Sequence, residues 1–263
     1  MSQFQLGDGT YPEHLLEKNQ RNTPENISLF KSSKAGSLTG VRNALNNGAK
    51  PNYFYNPEDS KNSLHVAAEG GYLDIVKELL DHGAYIESIV TGSKETALLL
   101  AARQLHIDVV KYLLESGANI SAANSYGNTA LHEAIRENSL ELSDLLLKYN
   151  ANVNYANHKG STPLHFLCYQ THDHRENDRM LIRQLIQHGA NIHLRDNRGM
   201  TPFLVCCSSG RVDLIDILLE EGADPTVVDN NHHNAYKIAE FYNHTNIMER
   251  FANDTPTSRF SFK

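Results

Sequence analysis

Residues 62–68 read Asn62-Ser63-Leu64-His65-Val66-Ala67-Ala68, and related text returns along the chain at intervals of 33 or 34 residues, and once of 39. The polar residue that opens each copy can cap a helix, because its side-chain oxygen accepts a hydrogen bond from the first turn. The apolar residues behind it recur at helical spacing. Each copy therefore predicts a short helix with one apolar face. The later copies are Thr96-Ala97-Leu98-Leu99-Leu100-Ala101-Ala102, Thr129-Ala130-Leu131-His132, Thr162-Pro163-Leu164-His165 and Thr201-Pro202-Phe203-Leu204.

A second block, built on two apolar residues followed by Gly-Ala, recurs in phase with the first. It predicts a second, antiparallel helix and then an extended finger loop that leads to the next unit. Asn150 stands where other copies have glycine, and asparagine tolerates the left-handed conformation that such a helix end requires. Lys94 and His232 replace the glycine of two finger turns, which leaves the local turn geometry open there. The clearest copies of the second block are Leu79-Leu80-Asp81-His82-Gly83-Ala84, Leu113-Leu114-Glu115-Ser116-Gly117-Ala118 and Leu218-Leu219-Glu220-Glu221-Gly222-Ala223.

The two blocks together resemble the ankyrin repeat, and the resemblance covers about residues 24–252. It implies an all-α solenoid of helix-turn-helix units with finger loops. We expect a repeat domain over residues 23–252, with a degenerate N-terminal unit, five clear repeats and a degenerate C-terminal unit. Residues 1–22 and 253–263 have no repeat register, and we expect flexible tails there. Since no single unit can bury its own apolar face, the units must stack.

Charge and composition exclude several classes of protein. The net charge of −7 argues against a groove that must neutralise nucleic-acid phosphates. The longest apolar run is far too short to span a bilayer, so we expect a soluble protein with no membrane insertion. Each of the three cysteines takes the place of a small buried residue, which favours reduced packing residues and an intracellular location. The expected compartment is the cytoplasm, with the nucleus as an alternative.

Enzyme and cofactor sites are not evident in the sequence. There is no phosphate loop, dinucleotide fingerprint or nucleophile elbow in a usable context, so no cofactor is expected. The repeats also leave no room for a catalytic domain, and we predict that the chain is not an enzyme. His65, His132 and His165 occupy one fixed place in the repeat, where the resemblance implies hydrogen bonds that tie neighbouring turns together.

One interval of the repeat is longer than the others. Leu164 to Phe203 spans 39 residues where neighbouring intervals have 33. The six extra residues are predicted to form a surface loop between two helices, around residues 169–178. His172 and His174 in this loop could supply two zinc ligands, but no third or fourth ligand is evident and neighbouring arginines repel a cation. We therefore predict no metal site.

Candidate contact residues follow from the resemblance, because ligands of the family usually dock on the finger tips and the inner helix surface. Carboxylates predominate on the first finger and cations on later ones, which would suit a partner of mixed charge, although a solvated surface explains the same residues. The aromatic run at 53–55 suits an interface anchor or a cover for the exposed edge of the terminal unit. The candidate residues are Tyr53, Phe54, Tyr55, Tyr126, Arg136, Lys159, Arg198 and Met200.

The function that the resemblance implies is protein–protein interaction. The chain would act as a non-catalytic adaptor, scaffold or regulatory subunit and bind one or more proteins through the concave finger and inner-helix surface. A substrate receptor that recruits a protein-modifying enzyme remains an alternative. The Asn- and His-rich composition leaves open an effector that an intracellular bacterium delivers into the cytosol of host cells.

Overall fold

The computed structural model describes residues 23–54, 61–170 and 175–252. Within these ranges the chain forms fourteen α-helices, and its strand-like pairings are isolated bridges. Two compact units, Met1–Glu133 and Ala134–Lys263, divide the chain. The prediction of an all-α fold is confirmed. The predicted tails at 1–22 and 253–263 lie outside the described residues.

The helices come in pairs, a first or inner helix followed by a second or outer helix. In each unit the inner helices contact one another and the outer helices do the same, so that the pairs form two layers. The inner helices are α1 (Pro24–Lys34), α3 (Ser63–Glu69), α5 (Ala97–Arg103), α7 (Ala130–Arg136), α9 (Pro163–Tyr169), α11 (Pro202–Ser209) and α13 (Ala235–Phe241). The outer helices are α2 (Leu38–Asn46), α4 (Leu73–Asp81), α6 (Ile107–Glu115), α8 (Leu140–Lys148), α10 (Arg175–Gln187), α12 (Val212–Glu220) and α14 (Thr245–Arg250).

Helix ends follow the capping residues of the sequence. At the start of α3, Asn62 Oδ1 accepts a hydrogen bond from His65 N at 3.0 Å, which satisfies an orphan donor of the first turn. Asn150 follows α8 in the left-handed region, with φ of 62°, as the sequence predicts. Lys94 and His232 also have positive φ, of 55° and 62°. The two finger turns without glycine therefore keep a left-handed conformation.

The core lies between the two layers of helices in each unit. Leu64 of α3 and Leu164 of α9 occupy the same position in their helices, and both are buried. Cys168, Cys206 and Cys207 are also buried and unbridged. Burial raises the pKa of the Cys206 and Cys207 thiols, which therefore stay protonated at neutral pH. The cysteines are packing residues in this fold, as the repeat register predicts.

The long repeat differs from its prediction. The connection from α9 to α10 comprises residues 170–174, which is two residues more than the connection 70–72 from α3 to α4. Helix α10 has 13 residues, whereas α4, α6, α8 and α12 each have 9. The prediction that all six extra residues form a loop is therefore wrong, because four of them add a turn to α10. His172 and His174 lie outside the described residues.

The extra turn of α10 carries a buried ion pair. Asp178 Oδ2 lies 2.8 Å from Arg211 Nη2, and both side chains are almost fully buried. Arg211 also donates to Asp213 through Nε and Nη2, at 3.0 and 2.9 Å, and to the carbonyl of Gln170 at 2.7 Å. Burial lowers the pKa of Arg211, but the bonds and charges of the two carboxylates outweigh it and raise the pKa overall. The guanidinium therefore remains charged and joins α10 to the turn before α12.

Helix α13 departs from the apolar pattern of the other inner helices. Its third residue is Lys237, at the position of His65 in α3 and His165 in α9. Those histidines are buried, whereas Lys237 is exposed and pairs with Glu240 one turn later. The last inner helix therefore presents polar side chains where earlier ones present buried histidines.

Candidate functional site

Four of the finger turns are each closed by one side chain that accepts two backbone hydrogen bonds. Asn124 Oδ1 accepts from Tyr126 N at 2.9 Å and from Asn128 N at 3.0 Å. The two main-chain bonds hold the turn, so the residue two places after the closing residue stands at the tip and its side chain takes no part in these bonds. Asn157, Asp196 and Asp229 do the same in later fingers, and the tip residues are Tyr126, Lys159, Arg198 and Asn231.

Neighbouring finger tips are joined through the backbone. In the first unit, Ser125 N donates to Ser93 O at 2.7 Å. In the second unit, Asn197 N donates to Lys159 O at 3.0 Å and Asn230 N donates to Arg198 O at 2.9 Å. Lys159 and Arg198 therefore occupy adjacent fingers of a hydrogen-bonded row.

The close approach of these tips requires glycine beside them. Gly199 has a φ of 77°, and a Cβ atom there would lie 2.2 Å from Asn230 Oδ1. Gly160 is in the same position relative to Asn197, with φ of 73° and a nearest atom at 2.6 Å. The glycines therefore fix the spacing of the tips in the second unit.

Two histidines each tie an inner helix to the finger that follows it. His65 Nδ1 accepts from Asn62 N at 3.1 Å, and His65 Nε2 lies 2.8 Å from Ser88 O. His165 Nε2 lies 3.0 Å from Met200 O in the second unit. Burial lowers the pKa of His65 to about 4, outweighing the Ser88 carbonyl, which raises it. The ring is therefore neutral at pH 7 and donates from Nε2, which confirms the predicted tying role of His65 and His165.

The inner-helix ends of the first unit are closed by ion pairs. Glu69 is the last residue of α3 and Arg103 the last of α5. Arg103 Nη2 lies 3.2 Å from Glu69 Oε1, and Arg103 Nη1 also bonds Glu95. Lys61 Nζ lies 2.6 Å from the other oxygen of Glu69. These four charges neutralise one another, so this part of the surface offers few uncommitted charged groups.

Arg198, on a finger of the second unit, has only part of its charge paired. Its Nη2 lies 3.2 Å from Asp196 Oδ2, and its guanidinium lies 5.4 Å from the ring centroid of Tyr169. Tyr169 is the last residue of α9, and its hydroxyl donates to Asp196 Oδ2 at 3.1 Å. The buried carboxylate of Asp196 thus positions the cation, while the Arg198 side chain stays 55% exposed.

A cleft of about 510 Å³ opens beside Arg198, between two fingers of the second unit and helix α13. Two exposed aromatic residues form one of its walls. Phe241, the last residue of α13, is 78% exposed, and Tyr242 is 47% exposed. The two rings meet edge to face with centroids 5.0 Å apart. The remaining wall is provided by Arg198, Met200, Asp229 and Lys237, among others.

The family-model comparison matches this architecture. The model described as ankyrin repeats, in three copies, matches residues 29–124, 86–157, 120–183, 154–229 and 173–257. The chain belongs to the ankyrin-repeat family. The predicted solenoid of helix-turn-helix units is therefore confirmed. A comparison with curated proteins gave no significant match.

Ankyrin repeats are generally protein–protein interaction modules, and the family is typically non-catalytic. Exposed side chains of this ankyrin array include the finger tips Tyr126, Lys159 and Arg198. No helix in the described ranges is long and apolar enough to cross a membrane. In the same ranges, no group of three or more His, Cys, Asp or Glu side chains could hold a metal ion.

The predicted contact residues fall into three groups in the ankyrin array. Tyr126 is 71% exposed in the first unit, and Lys159 and Arg198 are exposed in the second. Arg136, at the end of α7, is half exposed and pairs with Glu137 at 2.9 Å. The three remaining described candidates are less open: Phe54 is half-buried, and Tyr53 and Met200 are buried, with Met200 in the wall of the cleft. Tyr55 lies outside the described residues.

Two residues of the cleft, Phe241 and Tyr242, were not among the sequence candidates. Both lie in the degenerate C-terminal unit of the sequence. A usable signal was the position of Phe241, which ends its helix as Glu69 and Arg103 end theirs. Phe241 has an apolar ring where α3 and α5 carry a charged group, and this difference indicates a surface with another use.

Proposed function

We propose that the protein is a non-catalytic adaptor, scaffold or regulatory subunit that binds a protein partner on the finger and inner-helix surface. The observation that carries this proposal is the construction of the fingers. Tyr126, Lys159 and Arg198 are exposed on turns that Asn and Asp side chains close from beneath. A rigid turn that presents an exposed aromatic or cationic side chain suits recognition, because little conformational freedom is lost on binding.

The proposed compartment is the cytoplasm. The three cysteines are buried as free thiols, and burial raises the pKa of Cys206 and Cys207. Such thiols persist most readily in a reducing compartment, where structural disulfides are rare.

The proposal is tested with a triple variant, Tyr126→Ala, Lys159→Glu and Arg198→Gln, of the full chain. Glutamine is chosen for Arg198 because a glutamate would repel the buried Asp196 carboxylate. The variant should keep its helical circular-dichroism spectrum and melt within about 3 °C of the wild type, since it changes exposed groups. Partners captured from the native cell, quantified by mass spectrometry, should be lost.

The control is a double variant on the outer helices, Lys111→Glu and Lys148→Glu. Both lysines are exposed, and each lies near a carboxylate four residues away. This control changes the net charge at least as much as the triple variant, so a general charge effect would appear in both. Equal capture of the same partners by the triple variant and the wild type would place the binding surface elsewhere.

A further inference from the structure

The cleft beside α13 presents cations above their own counter-ions. The Arg198 side chain is 55% exposed, whereas its partner Asp196 is 3% exposed. Asp196 is further occupied by the backbone N–H groups of Arg198 and Met200. The carboxylate therefore lies in the base of the finger, and N–H donors of the guanidinium remain at the surface.

A similar arrangement occurs on the next finger, and α13 adds an ion pair that is exposed on both sides. Asp229 Oδ1 accepts from the backbone of Asn231 and His233, and Asp229 Oδ2 lies 3.2 Å from His233 Nδ1. The imidazole is half exposed above this nearly buried carboxylate. Lys237 is 61% exposed and pairs with Glu240, which is 41% exposed. Among the described residues that line the cleft, donors are thus more exposed than the carboxylates that balance them.

The apolar part of the cleft is large and open. Phe241 and Tyr242 form an exposed edge-to-face pair, and Ile238 and Met200 supply buried apolar surface beneath them. Clustered aromatic side chains are favoured as anchors at protein interfaces. An occupant with one large apolar side chain would bury the rings that α13 leaves in water.

We propose that this cleft binds an acidic peptide segment of a protein partner, with one large apolar side chain packed against Phe241 and Tyr242. The carboxylates of the segment receive hydrogen bonds from Arg198 and Lys237. This inference rests on the proposed function and specifies where one partner docks and by what chemistry. A basic segment fits less well, because Asp196 and Asp229 already accept backbone and side-chain donors and Glu240 pairs with Lys237.

The proposal is tested by selection from a phage-displayed library of random peptides on the immobilised full-length protein. Selected sequences should be enriched in Asp and Glu around one Phe, Leu, Ile or Met. Representative peptides are then synthesised with a fluorescent label, and their affinities are measured by fluorescence anisotropy at low and high salt. Affinity should fall as salt is raised, because the charge contacts are exposed to solvent.

Two variants probe the two halves of the cleft. Phe241→Ser and Lys237→Glu should each weaken binding of the selected peptides about tenfold or more. Lys148→Glu is the matched control, since Lys148 is equally exposed and pairs with Asp144 one turn away on outer helix α8. All three changes lie at exposed positions, so circular dichroism and melting temperature should match the wild type.

The outcomes separate this proposal from the broader one. The cleft proposal would be overturned by any of three results. These are selected peptides that are neutral or basic, peptides that bind Phe241→Ser as tightly as the wild type, and a library that yields no binder. Peptides insensitive to Phe241→Ser but lost on Lys159→Glu would place recognition on the fingers, so the broader function stands and the cleft fails. Peptides lost on Phe241→Ser, with native partners indifferent to a double variant Tyr126→Ala and Lys159→Glu that leaves Arg198 in place, would support the cleft and remove the finger surface.

Discussion

Two inner helices of the first compact unit and two of the second use the same position of the ankyrin repeat in opposite ways. The inner helices α3 and α5 end in Glu69 and Arg103, which pair with each other and with two further charged side chains. The inner helices α9 and α13 end in Tyr169 and Phe241, which carry a cation on one ring and leave the other exposed. The repeat fixes the position of these side chains. Their chemistry decides whether the surface there consists of paired charges or of aromatic rings.

The largest expected difference between the units is in the stability contributed by their ion pairs, one buried and one partly exposed. Arg211→Met in the second unit should lower the free energy of unfolding by about 3–5 kcal/mol, because it leaves the buried Asp178 carboxylate without its cation. The first-unit counterpart, Arg103→Met, removes part of a half-exposed network and should cost about 1 kcal/mol. Urea denaturation followed by circular dichroism measures both.

A second substitution identifies the cause of the larger effect. Adding Asp178→Leu to Arg211→Met removes the unpaired charge and should recover part of the lost stability. If Arg103→Met proves as costly as Arg211→Met, the two units do not differ in the way that the exposure of their ion pairs indicates.

The core should show no such contrast between the units. Leu64→Ala in α3 and Leu164→Ala in α9 each remove a buried side chain at the second residue of an inner helix. Each should cost about 2–5 kcal/mol, from lost burial and the cavity that remains. Denaturation midpoints unchanged by both substitutions would show that the repeat register is wrong.

Acid should destabilise the protein through His65. Its pKa is about 4 in the folded chain against 6.5 for a free side chain, so between these values the unfolded chain binds more protons. The stability contributed by neutral His65 is complete above pH 6.5 and is lost as pH falls towards 4. This loss amounts to about 3 kcal/mol.

His65→Leu isolates this contribution, and Leu99 shows that leucine fits the same place in α5. The variant should be less stable at pH 7, because the bond to Ser88 is lost, but its stability should fall less than that of the wild type from pH 6.5 to 4. Urea midpoints at a series of pH values measure the difference. Parallel pH profiles for the two proteins would rule out a buried neutral imidazole.

Local rules explain what the sequence could predict. Three features depend only on neighbours within a few residues: the helix starts at Asn62 and Thr162, the left-handed conformation of Asn150, and the buried leucines. The repeat brings them back along the chain. The extra turn of α10 was mistaken for loop because its first residues are polar. Burial of Asp178 is made favourable by two partners far away in the sequence, Arg211 and Asn138, whose side-chain amide donates to Asp178 Oδ1.

The contact surface was harder to predict for the same reason. Lys159 and Arg198 could be placed from finger register alone. The pairing of Arg103 with Glu69 joins residues 34 apart, and it is decided by side-chain reach across neighbouring repeats. Exposure of Phe241 depends on the packing of distant parts of the chain, and this packing cannot be predicted from the local sequence.

Because main-chain bonds close the fingers, the residues that determine the fold differ from the residues that determine binding specificity. Because Asn157 and Asp196 hold the turns by accepting main-chain N–H groups, the side chains at positions 159 and 198 can change while these main-chain bonds are kept. Natural selection, or an engineer grafting a new recognition sequence, can therefore rewrite the tips one repeat at a time on an unaltered scaffold.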